Sequence, residues 1–102
     1  MSSAAPVPLS GFAFHVYGKV QGVHFRKYTK LEAEKLGLVG WVENMPDGSV
    51  RGEVQGPNGR VREMNVWLRT KGSPASRIQR SHISEEREDL DEVTFDGFEI
   101  RK

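Results

Sequence analysis

The sequence predicts an α+β domain in the order β-α-β-β-α-β, one antiparallel sheet with two helices on one face. Three observations carry this. Apolar, branched and aromatic residues concentrate in strand-like runs at Phe12–Tyr17, Leu38–Asn44 and Val50–Gln55. Two stretches starting at Phe25 and Pro57 carry apolar residues at helical spacing. Between the second and third strands lies Met45-Pro46-Asp47-Gly48-Ser49, whose Pro-Asp-Gly core favours a tight turn and hence a hairpin. Two strand-helix-strand halves result, which is the split βαβ or ferredoxin-like plan.

In the first strand Phe12, Phe14 and Val16 alternate, as on a half-buried strand, and Gly18 ends it. Phe25, Tyr28, Thr29, Ala33 and Leu36 then fall near one helical stripe, with Gly37 at the natural C′ position. After the hairpin, Pro57 suits a first helical position, where a missing N–H is tolerated. Val61, Met64 and Leu68, with Trp67 on the flank, continue that helix to Gly72-Ser73-Pro74. Arg77–Ser84 reads as a strand, the acid-rich Glu85–Glu92 as a solvated loop, and Thr94–Arg101 supplies a last short strand. Trp41, Trp67, Met64 and Tyr28 read as core or its edge; Arg60, Arg62, Arg69 and Lys71 read as a solvated helix face.

A chain of 102 residues supports one hydrophobic core. Residues 1–11 read as a flexible tail without a secretory pattern, and residues 12–102 as the domain. A composition 36% hydrophobic and 28% charged is that of a globular protein. No apolar run reaches the roughly 18 residues of a membrane span. With no cysteine, the chain has no disulfide, thiol nucleophile or thiolate metal site, and a cytoplasmic setting fits. A net charge of +1 gives no broad field for nucleic acid or membrane, so anion selectivity has to be local.

The loop Gly18-Lys19-Val20-Gln21-Gly22-Val23-His24-Phe25-Arg26 meets that requirement. Its two glycines permit backbone angles that turn amides inward as an anion nest, and the following helix adds the positive end of its dipole. Arg26, Lys27 and Lys30 crowd the first helical turns, where cations oppose that dipole by roughly 0.3–1 kcal/mol each. A bound anion reconciles them. Solvated cations beside a structural turn account for the glycines and charges equally well.

The second half repeats the spacing Gln-Gly-x-x-x-Arg at Gln55–Arg60, where Pro57 removes a donor. That copy reads as helix punctuation, with Arg60 on the surface, and the first as the site.

These residues resemble the acylphosphatase family. The likeness runs from Phe12 to Ile100 and rests on Gly18–Val23 followed by Phe25-Arg26, on Gly40-Trp41-Val42, and on Asn44 with Asp47-Gly48. Val54-Gln55-Gly56, Gly72-Ser73-Pro74 and Ser76-Arg77-Ile78 extend it. The resemblance implies a ferredoxin-like hydrolase of the carboxyl-phosphate bond of small acyl phosphates, monomeric, with inorganic phosphate as product and no metal or other cofactor. Gly18, Lys19, Val20, Gln21, Gly22, Val23 and Arg26 would bind the phosphoryl group, and Asn44 would orient the attacking water. Met45 departs from the family, where a small hydroxyl residue is frequent, and the acidic segment and N-terminal tail are additions.

Other readings explain less. His15, His24 and His82 lack metal-ligand spacing. The six acids of Glu85–Glu92 lack the turn glycine and alternating register of a calcium loop. An RNA-recognition module shares the element order but needs stacking aromatics on its third strand, and Val50–Gln55 has none. A domain that only senses anions has no need of a water-positioning amide such as Asn44.

Overall fold

The computed structural model describes residues 8–101. Its elements are β1 (Leu9–Lys19), α1 (Phe25–Lys35), β2 (Val39–Asn44), β3 (Val50–Pro57), α2 (Asn58–Thr70), β4 (Arg77–Leu90) and β5 (Phe98–Arg101). The sheet order is β4-β1-β3-β2-β5. β1 pairs antiparallel with β3 and β4, and β2 with β3.

Four expectations are corrected. β5 runs parallel to β2, with Gly40 opposite Phe98 and Val42 opposite Ile100, so the sheet is mixed rather than purely antiparallel. β1 begins at Leu9, which faces Pro57 and Leu90; Leu9–Gly11 of the expected tail therefore belong to the sheet, and residues 1–7 lie outside the described part. Tyr28, expected near the core, is exposed.

The fourth concerns the acid-rich segment. Its first part, Glu85 to Leu90, continues β4 instead of forming a loop. Between Ala13 and Leu9 the register shifts twice, and Glu85 and Asp89 adopt positive φ at these bulges. β4 is an edge strand, and bulges with outward acids oppose pairing with another chain's edge. The acids keep this edge solvated.

Both helices cover one face. α1 packs on β2 and β5, α2 on β1, β3 and β4, and the two touch where the Phe25 and Trp67 rings lie 5.8 Å apart. The alternation read in β1 is the buried pattern: Phe12, Phe14 and Val16 face the helices with Val42, Val50 and Val54. Burying a side chain of this size contributes about 1.5–3 kcal/mol. α1 ends as expected: Leu38 N–H bonds Ala33 C=O and Gly37 N–H bonds Glu34 C=O, the paired bonds of a Schellman cap.

Candidate active site

The junction of β1 and α1 opens onto the C-terminal end of β2. Gly22 has φ +74° and His24 φ +59°, so the loop alternates into the left-handed region just before the helix. For His24 that conformation costs about 1–2 kcal/mol. A methyl group at Gly22 would meet no neighbour, so its glycine answers to backbone angle alone.

The first intrahelical bond of α1 is Tyr28 N–H to His24 C=O at 3.0 Å. The amides of Phe25, Arg26 and Lys27 precede it and have no helical acceptor. No side chain caps them, and no acid stands in the first turn. Three donors and the cations Arg26 and Lys27 thus meet at one helix end, the reverse of ordinary helix electrostatics.

These groups line a cleft of about 260 Å³ with Val20, Gln21, Gly22 and, across from them, Asn44. Asn44 pairs with Val50, a buried position, so its side chain lies on the helix side of the sheet. Its Oδ1 is buried without a hydrogen-bond partner. A buried acceptor left unpaired costs roughly 1–3 kcal/mol; Asn58 Oδ1 and Ser73 Oγ share this state elsewhere, but only Asn44 lines this cleft. A larger groove of about 530 Å³ runs along β5 past Lys30 and Trp41, but neither this carbonyl nor the free helix amides line it.

Arg26 is oriented from the end of the chain. Its Nη1 donates to the Arg101 carbonyl at 3.1 Å. Arg101 in turn lays its guanidinium over the Trp41 ring, 4.1 Å from the centroid, and the Trp41 Nε1–H donates to Glu53 at 3.0 Å.

The turn after Asn44 is held from two directions. Gln21 Nε2 donates to the carbonyls of Met45 at 2.8 Å and Ser49 at 2.9 Å, while Met45 N–H closes the turn on Ser49 C=O. Asp47 Oδ1 accepts from the Ser49 amide at 2.9 Å and from the Ser49 hydroxyl. These bonds favour the carboxylate and hold the Asp47 pKa below the usual range. Ser49 Oγ also contacts His15 Nε2 at 2.6 Å, and burial lowers the His15 pKa.

The structure therefore brings Arg26, Asn44, Val20, Gln21 and Gly22 to one cleft, while Gly18, Lys19 and Val23 do not line it with their side chains. Gly18 and Lys19 lie in β1, opposite Ile78 and Arg77. At Gly18, φ +130°, a Cβ would stand 2.1 Å from the Arg77 carbonyl, so glycine there serves a close strand approach. Val23 is buried in the core. Gln21 reaches the cleft, but its side-chain donors both go to the turn.

At the second junction the amide of Asn58 donates to the Pro8 carbonyl at 3.0 Å, and Gln55 Oε1 accepts from Thr94. Arg60 pairs with Glu63 on the surface. The chain itself thus occupies the Asn58 amide and the Arg60 guanidinium, although α2, like α1, has no side-chain cap and no acid in its first turn. Among the described residues, no group of three or more His, Asp and Glu is placed to hold a metal ion.

Sequence comparison decides which family builds this cleft: the acylphosphatase family profile matches residues 12–100. The chain belongs to the acylphosphatase family. It is 50% identical to Acylphosphatase-2 of Anas platyrhynchos over 97 residues, covering 95% of this chain and 93% of that protein. With Acylphosphatase-1 of Xenopus laevis the identity is 55% over 89 residues, or 87% and 89% of the two chains. The crystal structure of acylphosphatase from Bacillus subtilis superposes with a TM-score of 0.81 at 31% identity, covering 91% of this chain and 99% of that one. The expected enzyme class, a hydrolase acting on acyl phosphates, follows from membership of the acylphosphatase family.

Sequence reasoning missed three contributors: the Gln21 side chain as a brace, the Arg101 carbonyl, and the His15–Ser49 contact. Alternation in β1 does put His15 and Tyr17 on the face away from the core, which is a signal that they have polar work. Nothing local to Arg26 points to a main-chain atom 75 positions away.

Proposed function

We propose that this chain hydrolyses the carboxyl-phosphate bond of small acyl phosphates to a carboxylate and inorganic phosphate, with Arg26 binding phosphate and Asn44 orienting water. The observation that carries the proposal is the unpartnered Asn44 Oδ1 in the same cleft as Arg26 and the free helix amides. A phosphoryl group accepts from the amides and from the planar Arg26 fork. Asn44 Oδ1 accepts a hydrogen of water and turns its oxygen lone pair toward phosphorus.

Water oxygen bonds to phosphorus as the bond to the acyl oxygen breaks, and that electron pair leaves on a carboxylate. The conjugate acid of the leaving group has a pKa of about 4, so it departs unprotonated and needs no general acid. The proton of the attacking water passes to a phosphoryl oxygen. Positioning and charge stabilisation do most of what such a loose transition state requires. One arginine, one amide oxygen and a set of backbone donors supply both.

On this reading the enzyme is a cytoplasmic monomer that needs neither cofactor nor metal and binds neither nucleic acid nor membrane. The absence of cysteine and the net charge of +1 support it. So does β3, whose outward residues Arg51 and Glu53 provide no stacking aromatic on the third strand. Among the described residues no helix is long and apolar enough to cross a membrane. Benzoyl phosphate hydrolysis by the purified chain tests the function, with undiminished turnover in excess chelator. No hydrolysis above the spontaneous rate contradicts it.

A further inference from the structure

The open face of the sheet carries a directional chain of side-chain hydrogen bonds that ends on the turn behind Asn44. Asp47 as a carboxylate can only accept, so the Ser49 hydroxyl must donate to it. Ser49 Oγ has no second proton, so the 2.6 Å contact with His15 Nε2 requires histidine to be the donor. Neutral His15 is then protonated on Nε2 and accepts at Nδ1, where the Tyr17 hydroxyl donates at 3.2 Å. The order is Tyr17 O–H to His15, His15 N–H to Ser49, Ser49 O–H to Asp47.

The imidazole is also fixed in orientation. It stacks on Tyr17 at 4.3 Å, and Tyr17 is covered from its other neighbour by the Arg80 guanidinium, 4.3 Å from the ring centroid. Arg51 and His82 face His15 from β3 and β4.

What this chain holds is Ser49, whose carbonyl receives Gln21 Nε2 and Met45 N–H and whose successor Val50 is the partner of Asn44. The turn is braced by Gln21 from the cleft side and by His15 from the opposite face of the sheet. We infer that His15 is a positioning residue for the hydrolytic step: by donating to Ser49 it fixes the turn that sets Asn44, without touching substrate. This rests on the assignment of Asn44 to water. The need is geometric, because displacement of a reacting group by about an ångström lowers rates on the order of 100-fold.

The test is steady-state hydrolysis of benzoyl phosphate by wild type, His15→Leu and His15→Gln, with inhibition by inorganic phosphate measured alongside. Glutamine keeps an N–H donor at a similar reach; leucine does not. The expected result is a kcat about tenfold lower in His15→Leu, with KM and phosphate inhibition unchanged, and recovery to within about threefold in His15→Gln. Equal kcat in wild type and His15→Leu overturns the inference, as does an equal loss in both variants or a loss confined to KM. If His15→Leu does not fold, Ser49→Ala against Ser49→Thr makes the same comparison, since only threonine keeps the hydroxyl. Inactive wild type defeats the function itself; active wild type with indifferent variants defeats only the role of His15.

Discussion

Arg26 and Arg101 are joined by a single hydrogen bond, Nη1 to main-chain oxygen at 3.1 Å, that links the start of α1 to the end of β5. A guanidinium carries five N–H donors, so this bond fixes its plane and leaves the rest for the cleft. The Arg101 side chain lies over Trp41 and keeps the end of β5 in place. The parallel edge strand thus helps to position Arg26.

Shortening the chain to end at Ile100 removes that acceptor. KM for benzoyl phosphate and the inhibition constant for inorganic phosphate should both rise about tenfold, the effect of one hydrogen bond to a charged group. Circular dichroism should remain that of the full chain, and unchanged constants would mean that the cleft alone orients Arg26.

Arg26→Ala should abolish turnover and weaken phosphate binding together. Arg26→Lys restores the charge without the fork, and kcat/KM should stay about 100-fold below wild type. A lysine variant as active as wild type would show that charge suffices.

The two loop glycines separate cleanly. Gly22→Ala meets open space and carries only the strain of its positive φ, so it should lose about 1 kcal/mol of stability while remaining folded. Gly18→Ala drives a methyl into the Arg77 carbonyl and should lose several times as much, because β1 and β4 must separate. Urea unfolding of both variants checks the order.

Stability should vary with pH through His15 and Asp47. Burial lowers the folded His15 pKa below its unfolded value of 6.5. The unfolded chain therefore takes up the proton first, and the contribution of His15 is full above pH 6.5 and declines as pH falls through it. The folded Asp47 pKa lies below 3.8, chiefly through the Ser49 hydroxyl bond. Its contribution holds above that pH and is lost as pH falls toward the folded value. Urea midpoints between pH 8 and pH 5 should fall more steeply in wild type than in His15→Gln; parallel curves would contradict the His15 assignment.

Local pattern made much of this legible. Alternation revealed β1, composition and the Pro-Asp-Gly turn revealed β2 and β3, the Gly37 cap closed α1, and the cations of α1 drew attention to its first turn because they violate helix electrostatics. What stayed hidden depends on distant partners. A four-residue β5 has no periodicity to show whether it runs parallel. Glu85 and Asp89 look like loop residues because bulges break the alternation of β4. Gly18 looked like Gly22 because glycine records a need for space or for positive φ without saying which. The bracing role of the Gln21 side chain was hidden because its partners at Met45 and Ser49 come from the next hairpin.

The most direct test of the account is Asn44→Ala, assayed for both benzoyl phosphate turnover and inhibition by inorganic phosphate. An amide that orients water but does not hold phosphate predicts a kcat at least about 100-fold lower with phosphate inhibition within about threefold of wild type. Retained turnover, or phosphate affinity lost in step with it, would contradict the division of roles between Asn44 and Arg26.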